Sequence, residues 1–307
     1  MSGHPKVSVV VPTYNRTDFL RAALASALAQ TLQDFEIIVI DDASEDDTEK
    51  VIRYFEDSRI TLIRHETNQG VAAARNTGVV NSKGKYIAFL DDDDEWLPDK
   101  IDRQFELLER SPKSVGVIYT GWVGVDAASG RTLYRLTPMQ KGNIFESLLL
   151  QDSLAPTSSV FLRKECFEKA GLFDVEFAYG EDFDMWVRIA QAFQFDYIKE
   201  PLVRYSVPDN NKYALSSNYQ ARIKATEAQL KKYSEIIALD SRHYSRRYLG
   251  LGVLHCYNGN VRKGRESFLR GIKINPFEPR NYFNLCLSVL GAKNFKKWKR
   301  LKETWLA

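Results

Sequence analysis

The 307-residue chain is longer than one hydrophobic core usually supports, so two domains are expected. A hydrophobic fraction of 44% and a charged fraction of 27% are those of an ordinary globular protein; they exclude disorder, a collagen-like fold and a disulfide scaffold, and no window holds the roughly 18 apolar residues of a membrane span. The net charge of +3 conceals an asymmetry: Ser216 to Ala307 carries 19 Lys and Arg against 6 Asp and Glu, a net of +13, while the rest carries 24 against 34, a net of −10, so an acidic part suited to holding a cation precedes a basic part suited to an anionic surface.

The N-terminus, Met1 to Lys6, lacks the apolar stretch of a secretory signal. Lys6 to Val11 (KVSVVV) reads as a fully buried strand ending at Pro12. Asp18 to Gln30 has helical spacing, with Thr17 as its N-cap. Phe35 to Ile40 (FEIIVI) is a second buried strand that ends in Asp41-Asp42. A helix over Thr48 to Phe55, a strand over Ile60 to Arg64 and a helix over Val71 to Asn81 follow. Tyr86 to Leu90 (YIAFL) is another strand, ending in Asp91-Asp92-Asp93-Asp94. Alternating strands and helices predict a mostly parallel α/β sheet with helices on both faces. Ligands in such sheets bind beyond the carboxyl ends of the strands. There Thr13-Tyr14-Asn15, Asp41-Asp42 and the Asp91 run should meet. From about Ser216 the pattern is helical: Asn218 to Leu239, Tyr244 to Tyr257, Val261 to Ile274 and Arg280 to Leu290. The predicted organisation is an α/β domain over 1–215 and a small all-helical domain over 216–307. The three cysteines, Cys166, Cys256 and Cys286, are widely spaced, as in a reduced cytosol, and make no thiol metal site.

Each acidic cluster has a plain reading and a chemical one. Asp91 to Glu95 is five consecutive carboxylates, which repel one another unless something neutralises them. They form either a solvated loop or a clamp for a divalent metal and a diphosphate. Around Asp41 to Thr48, Ser44, Asp46 or Asp47 can cap the next helix, the Asp47-Thr48 end being favoured. Asp41 and Asp42 are left at the strand tip, where a carboxylate can accept a pyrimidine imide N–H. Glu181 and Asp182, after Gly180, either complement the N-terminus of an amphipathic helix or supply a general base in Asp182.

Five segments together resemble the inverting nucleotide-sugar glycosyltransferases of family 2, which have the GT-A fold. They are VSVVVPTYNR (Val7 to Arg16), EIIVIDDASEDDT (Glu36 to Thr48), NQGVAAARNTG (Asn68 to Gly78), GKYIAFLDDDDEWLP (Gly84 to Pro98) and GEDFDMWVRI (Gly180 to Ile189). The resemblance implies that Pro12, Thr13 and Tyr14 line the nucleobase, that Asp42 hydrogen-bonds it beside Asp41, and that Arg75 lines the donor phosphates or sugar. It makes Asp91-Asp92-Asp93 the DXD element. Asp93 then ligates Mn²⁺ or Mg²⁺, with Asp91 as a further ligand, and Asp91 or Asp92 contacts ribose or sugar. Asp182 becomes the catalytic base, its helix supported by Trp186 and Arg188. A His usual after the base is missing from Tyr205 to Asn211, where Pro208 and Asp209 stand instead and Asp209 is the substitute. The QXXRW motif of processive synthases is also missing, which implies transfer of a single sugar, with a UDP-sugar as the favoured donor and a glycan or lipid-linked glycan precursor as acceptor. A nucleotide-sugar-binding adaptor without transferase activity is the alternative. A nucleotidyltransferase is disfavoured because no glycine follows the first strand.

Tyr248, Leu251, Gly252, Phe268 and Pro276 stand at the spacing of one tetratricopeptide repeat, a helical hairpin. In the tail, Phe295, Trp298, Leu301 and Trp305 recur every three or four residues among Lys and Arg. Two readings stay open: an amphipathic helix lying on an anionic bilayer, or tryptophans packed on the hairpin with solvated lysines. The expected location is cytoplasmic, at the inner face of the membrane if the first reading holds. No nucleic-acid module is present.

Overall fold

A computed structural model describes residues 4–151, 154–207 and 218–305. In chain order it places β1 (Val7–Thr13), α1 (Thr17–Leu28), β2 (Phe35–Asp41), α2 (Thr48–Tyr54), β3 (Ile60–Arg64), α3 (Val71–Asn81), β4 (Tyr86–Phe89) and β5 (Glu95–Trp96). Then come α4 (Lys100–Arg110), β6 (Val115–Asp126), β7 (Thr132–Leu136), α5 (Phe145–Gln151), a 3₁₀ turn at Thr157–Ser159, β8 (Val160–Arg163), α6 (Glu165–Ala170), α7 (Glu181–Ala190) and β9 (Gln194–Val207). The helices α8 (Tyr219–Lys232), α9 (Ser234–Ile237), α10 (Ser241–Tyr257), α11 (Val261–Ile274), α12 (Pro279–Ser288) and α13 (Gly291–Trp305) complete it. The chain divides into two compact units, Met1–Phe177 with Glu181–Asn210, and Ala178–Gly180 with Asn211–Ala307.

The first unit is built on a sheet ordered β3-β2-β1-β4-β8-β6-β9-β5, with β7 paired to β6. Every residue of β1 is buried, as a central strand covered on both faces requires. β1 to β4 are parallel, as expected; beyond β4 the sheet is mixed, with β8 antiparallel to both β4 and β6 and β9 parallel to β6. α3 rests directly on β1, because Gly78 has no Cβ to strike the Val10 side chain. Gln104 of α4 spans two edges, its amide donating to the carbonyls of Ile118 and Ser159 at 2.9 Å each.

Register delivers the chemistry. Thr13 stands beside Asp41, and Asp41 beside Arg64. Leu90 N–H donates to Val10 C=O at 3.0 Å, so the acidic run leaves β4 level with the end of β1. α1 begins at Thr17 with Arg16 as N-cap and no side-chain cap; Thr17 is therefore the first helical residue rather than the cap. Ahead of α2 the Asp46 carboxylate accepts from Thr48 N–H and Oγ–H, while Asp47 occupies the N-cap position without a side-chain cap bond.

In the second unit, α10 and α11 form a close hairpin. A Cβ on Gly252 would strike Phe268 and one on Gly264 would strike Cys256, so small residues set the helix approach. The expected long helix over 218–239 breaks at Tyr233 into α8 and α9. Tail residue Phe295 turns inward and stacks on Phe268 at 6.3 Å between centroids, whereas Trp298 is half-exposed. Phe295 and Trp298 thus do not share one outer face; the side chains of Leu301 and Trp305 lie outside the described residues. Among the described residues no helix is long and apolar enough to cross a membrane. Cys166 and Cys256 are buried thiols and Cys286 is an exposed one.

Candidate active site

The sheet's carboxyl edge gathers the polar residues that end β1, β2 and β4. Pro12 and Thr13 are buried at the tip of β1 and Tyr14 is exposed beyond it. The next turn is held in a sparsely populated conformation: Asn15 has φ 52° and Ala43 φ 67°, backbone strain of the kind that functional sites retain. Asn15 and the Asp41-Asp42 loop are tied reciprocally. Asn15 N–H donates to Ser44 Oγ at 2.9 Å, and Glu45 N–H to Asn15 Oδ1 at 2.7 Å.

Asp41 and Asp42 have structural partners of their own. Asp41 accepts from Ser44 N–H (2.8 Å) and pairs with Arg64 (3.0 Å). Asp42 accepts from His65 Nδ1 (2.7 Å), Gln69 N–H (2.9 Å) and Gly70 N–H (2.7 Å). It therefore seats the N-terminus of α3, where partial positive charge favours a carboxylate. Three of its about four acceptor positions are filled. His65 also reaches Thr77 Oγ1 at 2.9 Å, which fixes its ring.

The acidic run divides into different environments. Asp94 is wholly buried, accepting from Ser158 Oγ–H (2.6 Å) and Ser206 N–H (3.0 Å); burial first, then the neighbouring carboxylates, hold it far above the ordinary range. Ser158 also accepts from Asp91 N–H at 3.0 Å, so one serine pins both ends of the run. Asp92 is buried against Thr13 Oγ–H (2.8 Å) and Arg16 (3.1 Å). Burial, opposed by Arg16 and aided by Asp93, pushes it up to about 7. Asp93 pairs with Arg16 at 2.7 Å, and Asp91 with Arg75 at 2.6 Å. These two carboxylates keep 30% and 27% of their side chains exposed, whereas Asp92 and Asp94 between and after them are buried.

Arg75 joins this edge to α7. Its guanidinium is buried and donates to Asp91 and to Glu181 at 2.6 Å each. Burial first, then repulsion from Asp182, raises Glu181 to about 7 against the pull of Arg75. Asp182, the next residue, is partly buried, and Thr157 Oγ lies 3.4 Å from its carboxylate. Its proton affinity is raised by burial, opposed by Arg75 and helped by Asp91. Trp186 packs on Phe89 and Phe173. Arg188 anchors α7 through Asp184 (2.8 Å) and the Leu172 carbonyl (2.9 Å).

The structure therefore brings Thr13, Arg75, Asp91, Asp92, Asp93 and Asp182 into one linked set. Arg75 meets carboxylates here, and Pro208 and Asp209 lie outside the described residues. Sequence reasoning gave no site role to three participants, Arg16, His65 and Ser158, and gave Glu181 only the role of complementing the helix N-terminus. Arg16 had a signal, a cation directly after the strand-end polar run. Ser158 stands in a Thr-Ser-Ser run with nothing in the sequence to tie it to Asp94. Tyr205, at the end of β9, is held protonated by burial and by Asp94, Asp93 and Asp91.

Among the described residues no group of three or more His, Cys, Asp or Glu is placed to hold a metal by itself. Asp91 and Asp93 offer hard oxygen donors, which suit Mg²⁺ or Mn²⁺ when phosphate oxygens and water complete the shell.

Residues 8–170 match the family described as Glycosyl transferase family 2. The chain is 34% identical over 204 residues to an uncharacterized glycosyltransferase of Rickettsia prowazekii, covering 65% of this chain and 63% of that one. It is 36% identical over 156 residues to a putative teichuronic acid biosynthesis glycosyltransferase, TuaG, of Bacillus subtilis, covering 50% and 58%. The chain thus spans less than two thirds of the length of these curated relatives. The crystal structure of S. aureus TarS 1-349 in complex with UDP-GlcNAc superposes with a TM-score of 0.63 at 17% identity, covering 98% of this chain and 91% of that one. The fold is shared at that distance.

Proposed function

The chain belongs to glycosyl transferase family 2, and from that premise we propose that it is a metal-dependent, inverting glycosyltransferase. It moves one sugar from a nucleotide-sugar donor to a hydroxyl of a glycan or lipid-linked glycan precursor. The observation that carries this reading is the Arg75 junction, which ties the end of β4 to the start of α7 and so holds Asp91 and Asp182 in one set. A UDP-sugar donor is supported by the UDP-GlcNAc complex of TarS, whose fold is similar. A cell-envelope polysaccharide is supported by the likeness to TuaG.

Pro12, Thr13 and Tyr14 line the nucleobase, the exposed Tyr14 ring stacking on it. Asp42 accepts the imide N–H with its remaining lone pair while holding α3, and Asp41 keeps the loop in place. Asp93 and Asp91 hold Mg²⁺ or Mn²⁺; when bound, the cation neutralises charge on the departing diphosphate. Asp92 contacts ribose or sugar. Arg75 sets the spacing between donor carboxylates and base.

Asp182 takes the proton of the acceptor hydroxyl. The freed oxygen attacks the anomeric carbon as the bond from that carbon to the phosphate oxygen breaks, and the electron pair leaves with the diphosphate. A single displacement inverts the centre, so no Ser or Cys nucleophile is required. A carboxylate whose proton affinity is raised by burial is suited to such proton transfer. The basic C-terminal region serves as the contact with an anionic membrane at its cytoplasmic face.

The test is donor turnover with Mn²⁺ in the wild type, Asp182→Asn and Asp93→Ala. Asp182→Asn is expected to lose at least about 100-fold in transfer rate with nucleotide binding retained, and Asp93→Ala to lose metal-dependent UDP binding. Full transfer by both variants overturns the assignments, and UDP binding by the wild type without transfer or donor hydrolysis makes the chain an adaptor.

A further inference from the structure

Helix α12 is inverted relative to an ordinary surface helix. It buries Asn281, Asn284 and Ser288 beside Leu287. Asn281 Nδ2 donates to Ser245 Oγ at 2.8 Å, and Arg265 Nε to Ser288 Oγ at 3.1 Å. Outward stand Tyr282, Cys286, Val289 and Leu290, with Val289 70% exposed. Tyr282 and Cys286 stand one turn apart on α12, and Val289 and Leu290 continue the exposed apolar surface in the turn that follows the helix. Phe277, in the turn that leads into α12, is 92% exposed. Exposed apolar groups therefore stand before, on and after the helix, which is about 15 Å long.

The surroundings are cationic. Lys293 lies three residues after Leu290 and is exposed, and Lys297 is exposed one turn further on; Arg280, two residues before Tyr282, is paired with Glu278 at 2.7 Å and 2.8 Å. The 216–307 segment has 19 basic residues against 6 acidic ones. That charge makes a second copy of the same face a poor partner, since two such segments repel. An apolar surface flanked by lysines is complementary to a bilayer with anionic headgroups.

We propose that α12, the turn after it and the first turns of α13 form a membrane-contact surface that lies flat on an anionic lipid bilayer, with Tyr282, Val289 and Leu290 in the headgroup layer and Lys293 and Lys297 on lipid phosphates. The contact deepens the membrane-facing part of the function above, and vesicle binding reads it separately from transfer.

The experiment is co-sedimentation of the full chain with phosphatidylcholine vesicles and with vesicles of phosphatidylcholine and phosphatidylglycerol at 70:30. Binding is expected to the anionic vesicles alone and to fall at high salt. Val289→Asp and Leu290→Asp should each weaken it about tenfold, and Lys293→Glu and Lys297→Glu about fivefold each. Far-UV circular dichroism and UDP binding on the same samples report folding; Phe277→Ser, at a turn, is the second variant should α12 substitutions perturb the helix. Absence of sedimentation with either vesicle, or binding indifferent to these substitutions, overturns the surface. So does a wild-type dimer that Val289→Asp makes monomeric, because a second copy then covers the face. Lost vesicle binding with UDP binding intact rejects the surface alone, and lost UDP binding with vesicle binding intact rejects the enzymatic reading alone.

Discussion

Arg75 carries more electrostatic responsibility than any other side chain of the acidic edge. It is buried between Asp91 and Glu181, and removing one partner of a buried pair leaves an uncompensated charge. Arg75→Met is expected to lower the unfolding free energy by about 3 kcal/mol at pH 8, read by urea denaturation; a loss below ~1 kcal/mol would falsify the pairing. The loss shrinks at pH 6, where Glu181 takes up a proton. Asp92 and Glu181 also set a pH trend. Both are raised to about 7 in the folded chain, above the ordinary carboxylate value near 4. Folding therefore favours their protonated forms: their contribution is greatest below about pH 4 and is lost as pH rises toward 7. Asp92→Asn, a neutral isostere, should flatten the decline of unfolding free energy between pH 5 and 7. An unchanged slope removes Asp92 as its source.

Elements hold these residues by close approach. α3 carries Arg75 and sits on β1 through Gly78, where an added Cβ meets Val10. Gly78→Ala should cost about 1–3 kcal/mol and reduce UDP binding, because shifting α3 displaces Arg75; a variant with wild-type urea midpoint and UDP affinity contradicts this. At this scale the sequence was readable where strands are covered on both faces. β1, β2 and β4 are continuous apolar runs, and their polar exits mark the site. β6, β7 and β9 left no such trace: β7 is exposed along its whole length, and β6 is interrupted by glycines at Gly121 and Gly124, where neighbouring chain approaches closely. The Ser158 bridge to Asp94 and the Arg75 bridge to Glu181 join residues remote in sequence, which no local pattern encodes.

For the whole molecule, the dominant property is the separation of charge. The region before Ser216 carries a net of −10 and the rest +13, so a total of +3 conceals two strong fields. Surface charges act locally within a Debye length of about 10 Å at 0.1 M salt. The protein should therefore bind both cation- and anion-exchange resins at pH 7.5 in low salt, and charge-reversal at Lys293 and Lys297 should reduce retention on the cation exchanger alone. Retention on one resin only would mean that the two fields cancel.

Under the donor-binding roles proposed above, the seat of Asp42 at the start of α3 has a consequence for inhibitor chemistry. The backbone donors of Gln69 and Gly70 are already spoken for by a resident carboxylate, so a diphosphate mimic gains nothing by reaching for that helix end. It must instead win arginines away from aspartates or arrive with its own cation. Neutral compounds that stack on Tyr14 and leave the acidic edge untouched avoid that contest altogether.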